Sequence, residues 1–559
     1  MKDADAIVIG SGAGGMAAAV ALARANKRVM VFEQHYLPGG WCHSFPMGGY
    51  QFSPGVHYIG DLGPGGNMRR IYEGLGVAND LVFLELNPDG YDHVHIGDEY
   101  FDIPKGREVY AERLKSRFPS EADGIDRYLA TCTRISNQIS DDIEVRTFGD
   151  AIKAGWRKRD LFLQGLLPLD RFLDRFTKNP LLRAILTIQS GDHGVGPRRA
   201  LTAIHAAVAS HYFDGGWYPK GGAKALPRAF IKELRRCGGE ISVRTGVNRI
   251  LIEGHGSTKK VAGVQLESGE QILAPLVISN ADPVVTYGKL VESEHLHPKI
   301  NRHLRRTKWS TSALSLFLAV DMDVRAAGLD SGNYWWSKTS DIQANYDFAA
   351  KPDLDESKEL PGTFLTCTTL KDPSKRAHGH HTMEAFSFVS WEAFRRWENT
   401  RLEDRPEAYK KFKENLTARM FEALENTLPG IRDATVFAEL GTPLTNHHYV
   451  ASTSGNLYGT EKTRSHVGPF SWPIKTPING LMMCGASTLG HGVAGATMSG
   501  LAAAHTALGC SYGDLFNPVG QSLRCHPADH PELWPDELRH GVQGNTAKAG
   551  RDYFIGMTR

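Results

Sequence analysis

The chain has 559 residues, a formal net charge of +2, 23% charged residues and seven cysteines. That length suits two or three domains around a large core, and the near-neutral balance excludes the basic field that nucleic-acid binding requires. The cysteines show no C-x-x-C and no metal-ligand spacing, so no metal site is expected and they read as reduced thiols.

The first element is a strand, Ala6-Ile7-Val8-Ile9, which runs into a G-x-G-x-x-G turn at Gly10, Gly12 and Gly15, with Ala13 and Gly14 inside it. The spacing predicts an Ala-rich helix over 16–25 and a second strand over 29–32 that ends on Glu33. Gly10 permits the tight turn, Gly12 lets backbone approach a pyrophosphate, and Gly15 lets the helix pack on the strand. The helix N-terminus offers N–H donors and partial positive charge to phosphates. Glu33 is placed to accept from ribose hydroxyls and would repel a 2′-phosphate, which leaves FAD and NAD and disfavours NADP.

This strand begins within a few residues of Met1, so no cleavable targeting peptide is expected. No apolar run approaches the ~18 residues needed to span a bilayer. The expected location is cytoplasmic, with peripheral membrane contact as an open option.

Next come Pro38-Gly39-Gly40-Trp41-Cys42-His43-Ser44-Phe45 and Gly49-Tyr50-Gln51-Phe52-Ser53-Pro54-Gly55-Val56-His57-Tyr58-Ile59-Gly60. Over 157–178, Phe162, Leu166, Leu169, Leu173 and Phe176 alternate at spacings of four and three behind Arg157-Lys158-Arg159, with Pro168 as a start or kink. This stretch is expected to be one amphipathic helix. It either packs over its domain or docks on a membrane and admits an apolar substrate. Further on, a helix is predicted over 226–237, a strand over 276–282, strands over 311–321 and 381–390, and a helix over 406–428. Gly490, Gly492 and Gly495 repeat the G-x-G-x-x-G spacing without a following β–α–β unit, so they close the first nucleotide site and do not form a second. The tail from about 511 reads as irregular and polar.

The Gly39-Gly40-Trp41-Cys42-His43-Ser44 loop resembles the second flavin motif, G-G-x-x-x-[ST], of the amine oxidase and phytoene desaturase superfamily. The Cys42-His43-Ser44-Phe45 and His57-Tyr58-Ile59-Gly60 blocks are most similar to its retinol saturase branch, beside that of prolycopene isomerase. Three further blocks extend the resemblance: 211–222 with Gly215-Gly216-Trp217-Tyr218-Pro219, Thr442-Pro443-Leu444-Thr445, and Gly480–Ser487 with Gly490–Ala496. It is weaker across 76–205 and 300–435. Ser53 and Trp41 stand where the family usually has Asp and Arg.

The resemblance implies a non-covalent FAD. The residues it assigns to the cofactor are Gly10, Gly12, Ala13, Gly14, Gly15, Glu33, Gly39, Gly40, Trp41, Ser44, His57, Val247, Gly485, Gly492 and Val493. It implies an α/β fold with a Rossmann-type FAD-binding domain assembled from 1–75, 206–300 and 435–510. A mixed α+β substrate domain, 76–205 and 300–435, is inserted, and 511–559 is the tail.

The implied activity is oxidoreduction at C=C bonds of a lipophilic polyene, retinoid- or carotenoid-like, by saturation, desaturation or isomerisation. The external electron donor or acceptor is left open. An unactivated C=C needs a proton partner for each hydride moved, or a delocalised cation that aromatic rings can support. His57 is the first candidate acid/base, with Tyr58 and Tyr449 behind it; a histidine that merely fixes the loop is the equal alternative. Trp217, Tyr218, Trp335, Trp336, Trp391 and Trp397 are candidate lining residues or plain core. The rival functions are a flavin amine oxidase and a non-catalytic, flavin-fold escort protein for lipids.

Overall fold

The computed structural model describes residues 3–140, 155–354 and 359–539. Its central sheet is five-stranded and wholly parallel, in the order Leu481–Met483, Val277–Ser279, Ala6–Ile9, Val29–Phe32, Glu240–Ser242. Its Leu481–Met483, Val277–Ser279 and Ala6–Ile9 strands are short and fully buried, as a parallel sheet covered on both faces demands, while the edge strand Glu240–Ser242 is partly exposed. Ala6–Ile9 sits in the middle, so the turn that follows it opens at the carboxyl edge, where such sheets bind ligands.

Helix Ala13–Arg24 packs against helix Gly492–Leu508, and small residues set the distance between them. A methyl on Gly500 would lie 1.9 Å from the carbonyl oxygen of Gly14, so the two backbones touch. Gly15 is equally tight, because a Cβ there would stand 2.1 Å from the Gly10 carbonyl oxygen.

A second sheet has seven strands in the order Thr435–Gly441, Ser312–Val320, His381–Val389, Gly362–Cys367, Asn333–Ser337, Asp92–Ile96, Glu99–Ile103. All neighbours are antiparallel except Asn333–Ser337 with Asp92–Ile96. Period-two alternation divides its residues. Leu314, Leu316, Leu318 and Val320 join Met383, Ala385 and Val389 in the core under helix Glu407–Leu424. The intervening Ala313, Ser315 and Phe386 face the other way, into a cavity between the two sheets.

Three sequence expectations need correction. Thr435–Gly441, assigned to the FAD-binding segment 435–510, is an edge strand of the seven-stranded sheet. The tail is not irregular as far as it is described. Arg524–Pro527 pairs in parallel with Val82–Glu85, which also pairs with Trp217–Pro219, and Trp534 is buried with its Nε1 donating to the Pro527 carbonyl. Its remainder, 540–559, lies outside the described residues, as do 141–154 and 355–358 of the expected substrate domain.

The third correction concerns 157–178, which is not one helix. A π-helical turn, Leu161–Gly165, stops before Pro168, and a separate short helix, Leu169–Leu173, follows. Proline lacks the N–H that would continue the first turn. The expected stripe therefore splits: Leu169, Phe172 and Leu173 are buried, while Trp156, Phe162, Leu163 and Leu166 are exposed.

Candidate active site

The cavity between the sheets has a volume of about 290 Å³. At one end it is walled by the glycine turn and the tip of the second strand. At the other end stand His57, Ala313, Ser315, Phe386 and Tyr458, whereas Tyr449, expected as a catalytic candidate, packs edge-on against His35 at 5.7 Å beside the acid at the strand tip.

At the first end Ser11 ties three pieces together. Its N–H and its Oγ both donate to Glu33 Oε2, at 2.9 and 2.6 Å, and its Oγ accepts from the N–H of Gly39 at 2.9 Å. Glu33 Oε1 accepts from the N–H of His35 at 2.9 Å. The acid is thus fixed at the strand tip and still borders the cavity.

Two helices, Ala13–Arg24 and Gly492–Leu508, begin at this cavity, and neither has a side-chain cap. Their first N–H groups are the orphan donors that a phosphate or a carbonyl oxygen satisfies. Gly40, at φ +53°, lies close against the glycine turn, since a Cβ there would sit 3.2 Å from Gly12 Cα. These donors, the bare backbone and the acid fit a dinucleotide carrying a pyrophosphate and a ribose.

Of the residues chosen from sequence, Gly10, Gly12, Ala13, Gly14, Glu33, Gly39, Gly40, Trp41, His57, Val247, Tyr449, Gly485, Gly492 and Val493 border the cavity. Gly15, Ser44 and Tyr58 are not brought to its wall. Gly15 lies against the strand. Ser44 Oγ bonds Ser53 Oγ at 2.9 Å and accepts from the N–H of Lys224 at 3.0 Å, so it fastens the loop to the 219–224 segment. Tyr58 is turned into a buried polar cluster. Burial pushes the Cys42 thiol up to about 12, which keeps it protonated and unreactive.

The six aromatics proposed as lining are absent from the wall. Trp391 and Trp397 belong to the core under helix Glu407–Leu424, and Trp217 and Tyr218 are buried in other core clusters. Trp335 and Trp336 border a separate, smaller cavity of about 30 Å³ with Ile188, Ile342, Phe364 and Phe388. Phe386 borders both cavities and is the partition between them.

His57 is positioned from the sheet. Its Nδ1 lies 3.1 Å from Glu384 Oε2, and Glu384 Oε1 accepts from the N–H of Ser53 at 2.7 Å. The His57 ring rests against Phe364 and Phe386, with centroids 5.1 and 5.9 Å away. Engaging Nδ1 leaves Nε2 as the nitrogen for proton exchange. The His57 carbonyl accepts from Lys371 Nζ at 2.7 Å. Burial lowers the Lys371 ammonium to about 7, and its charge is held by this carbonyl and by Asn333 Oδ1 at 2.5 Å.

Sequence reasoning missed Glu384, Ser11 and Phe386, while the expected strand over 276–282 does end at the cavity with Asn280 and Asp282. Asp282 borders the cavity, and burial raises its carboxyl to about 6. Ser11 was readable, since it lies inside the glycine turn. Glu384 and Phe386 carry no local motif, and only the strand alternation at 381–390 pointed to their shared face.

Residues 13–508 match the family model for flavin containing amine oxidoreductases. An all-trans-retinol 13,14-reductase of Danio rerio is 31% identical over 525 residues, covering 89% of this chain and 85% of the relative. Prolycopene isomerase 2 of an Oncidium hybrid is 28% identical over 529 residues, covering 90% of this chain and 84% of the relative. Among solved structures, an oxidoreductase from Methanosarcina mazei superposes with a TM-score of 0.59 at 17% identity, covering 89% of this chain and 99% of its own, which shows the shared fold.

Proposed function

The chain belongs to the flavin containing amine oxidoreductase family, and on that premise we propose that it is an FAD-dependent oxidoreductase acting on C=C bonds of a lipophilic, retinoid- or carotenoid-like polyene. When bound, the flavin supplies hydride exchange at its ring. The chain supplies binding, orientation and a proton.

FAD is favoured among flavins because the site has a ribose acceptor as well as a phosphate cradle. Ala13 and Gly14 would hold the pyrophosphate through their N–H groups, Glu33 would accept from the adenosine ribose, and the Gly492–Val493 turn would offer its N–H groups to the ring carbonyl end. The observation that carries the substrate reading is the far end of the cavity. There the apolar Phe386 wall, which parts this cavity from an aromatic side cavity, stands beside the His57–Glu384 pair. An apolar rod fits such a wall, and the imidazole is the proton partner that an unactivated C=C requires.

Similarity to a retinol reductase and a prolycopene isomerase supports a polyene over an amine. Chromatography of retinoids and carotenoids incubated anaerobically with the flavoprotein tests this. A product with a changed number or geometry of double bonds supports the reading, and recovery of every polyene unchanged refutes it.

Membrane contact, proposed with it, now rests on Trp156, Phe162, Leu163 and Leu166, which stand exposed around Arg157, Lys158 and Arg159. Aromatic and aliphatic side chains beside basic ones suit an anionic lipid surface. Among the described residues no helix is long and apolar enough to cross a membrane.

A further inference from the structure

Behind the His57 loop lies a buried acid pair bridged by a phenol. Tyr58 Oη is 2.7 Å from Asp192 Oδ2 and 3.1 Å from Asp92 Oδ2. A phenol has one hydrogen, so it donates to one of these oxygens only. The second contact is a hydrogen bond only if the other carboxyl brings its own proton.

The surroundings decide which carboxyl that is. Asp92 is fully buried and accepts from Gln189 Nε2 and Asn333 Nδ2, each at 2.9 Å. The same Asn333 amide oxygen binds the Lys371 ammonium at 2.5 Å. Asp92 is therefore supplied with donors and a nearby cation, as an anion requires. Among the described residues Asp192 has Tyr58 alone as a partner for its carboxyl. The chain of donors runs from the Asp192 O–H to Tyr58 Oη, and from the Tyr58 hydrogen to Asp92.

We propose that Asp192 is a carboxylic acid kept protonated by the Tyr58 bridge to Asp92, and that it is the proton reserve for the adjoining cavity. The assigned protonation stands on the geometry alone; its use as a reserve rests on the function proposed above. Burial and the Asp92 charge raise Asp192 to about 8, in agreement with that count.

The reserve adjoins the cavity wall. The Asp192 carbonyl accepts from His491 Nε2 at 3.1 Å, the His491 ring lies 5.3 Å from that of Tyr458, and Tyr458 borders the cavity. The groups that face Asp192 are Tyr58 and Asp92 on one side, Tyr212 stacked on Tyr58, and Tyr346, Tyr458 and His491 on the other. All of these phenols are raised by burial and His491 is lowered to about 3. Burial raises the Asp92 carboxyl too, and Lys371, whose Nζ lies 5.9 Å from the Tyr58 ring centroid, is lowered to about 7; the donors gathered on Asp92 are what assign the retained proton to Asp192.

In the saturating direction a C=C gains a hydride from reduced flavin and a proton from a wall group. The Asp192 O–H then breaks, its proton refills that group, and the carboxylate regains a proton from solvent. In the desaturating direction only the ionised Asp192, present above about pH 8, could take up the proton that leaves the substrate.

Infrared difference spectroscopy of the flavin-loaded protein through a pH titration is the test, and it needs no substrate. A protonated-carboxyl band is expected at pH 7 that titrates near 8, is absent in Asp192→Asn, and shifts in Tyr58→Phe. No such band at pH 7, a band that persists in Asp192→Asn, or a band unmoved in Tyr58→Phe each overturns the assignment. If reduction of a C=C is found, its rate should fall above about pH 8 in the native protein. Asp192→Asn should be slower, about ten-fold or more at pH 7, and should lack that limb. A variant slowed equally at every pH, with the limb retained, would make Asp192 structural.

Discussion

Glu384 Oε2 stands 3.1 Å from His57 Nδ1, although the two residues are 327 positions apart in the chain. Strand alternation turns Glu384 and Phe386 to one face, and the Ser53 N–H holds the second carboxylate oxygen, so the carboxylate is fixed before the imidazole meets it. A histidine oriented in this way, with Nε2 left over at a cavity wall, has the arrangement of a proton-exchanging group.

His57→Phe should therefore retain flavin and lose turnover by roughly 10²–10⁴-fold, the usual scale of general acid–base catalysis. Glu384→Gln should lose less, because the ring is still held by a hydrogen-bond acceptor while the charge is gone. Steady-state rates on a converted polyene, with flavin occupancy from the visible spectrum, are the measurements. Turnover within a few-fold of native in His57→Phe would make the histidine a loop fastener.

Glu33→Ala removes an acid that fixes Ser11 and His35 as well as the ribose acceptor. A hydrogen bond to a charged group is worth about 1.5–3 kcal/mol, so flavin affinity should weaken roughly 10- to 100-fold. Flavin occupancy after dialysis reads this directly. Unchanged occupancy would show that Glu33 serves the turn and not the ribose.

Much of this end of the site was legible in the sequence, because its contacts are local. The glycine turn, the helix behind it and the acid lie within one β–α–β unit, where spacing alone dictates geometry. The catalytic end was not legible. His57 could be named from a motif, but Glu384, Phe386 and the Asp92–Tyr58–Asp192 chain meet only through long-range pairing of the seven-stranded sheet and the loops over it. The aromatics at 217, 218, 391 and 397 failed as lining residues for a related reason. Large rings pay best for burial in the core, and nothing local tells a core tryptophan from one at a wall. The 157–178 stripe does not hold as one face because a new helix starts after Pro168, the start or kink that the sequence marks, and the residues before it turn outward.

Phe386 as a partition makes a prediction about substrate length. Phe386→Ala should join the central cavity to the Trp335–Trp336 cavity, raising kcat/KM for longer polyenes relative to shorter ones. Phe386→Trp should do the reverse. Competition between two chain lengths in one reaction gives the ratio without active-site titration. An unaltered ratio in both variants would place the substrate elsewhere.

The split stripe separates membrane contact from folding. Leu173 is 1% exposed and Leu163 is 69% exposed. Leu173→Glu should destabilise the protein by on the order of 3–5 kcal/mol, the cost of an uncompensated buried charge. Phe162→Glu/Leu163→Glu should leave the unfolding temperature unchanged and reduce flotation with anionic liposomes. Native protein that ignores such liposomes would show that the exposed cluster has no lipid role.

Asp192 also sets the sign of a stability trend. Its carboxyl is raised from 3.8 to about 8, so between those values the folded chain binds a proton that the unfolded chain has lost. The Asp192 contribution to stability therefore falls as pH rises from about 4 to about 8. Asp192→Asn should remove that component. Denaturant titrations of both proteins at pH 5 and pH 8 check it: the variant should gain on the native protein between the two, and parallel changes would contradict the raised carboxyl.

The central claim is flavin chemistry at a polyene C=C, and anaerobic single-turnover absorbance tests it most directly. Oxidised and reduced flavoprotein are each mixed with a polyene or an amine while the flavin and polyene bands are followed together. The account predicts that polyene absorption shifts in step with flavin bleaching or recovery, or shifts under one flavin redox state alone, and that amines leave the flavin untouched. Flavin bleached by amines, with the polyene spectrum unmoved in both redox states, would contradict it.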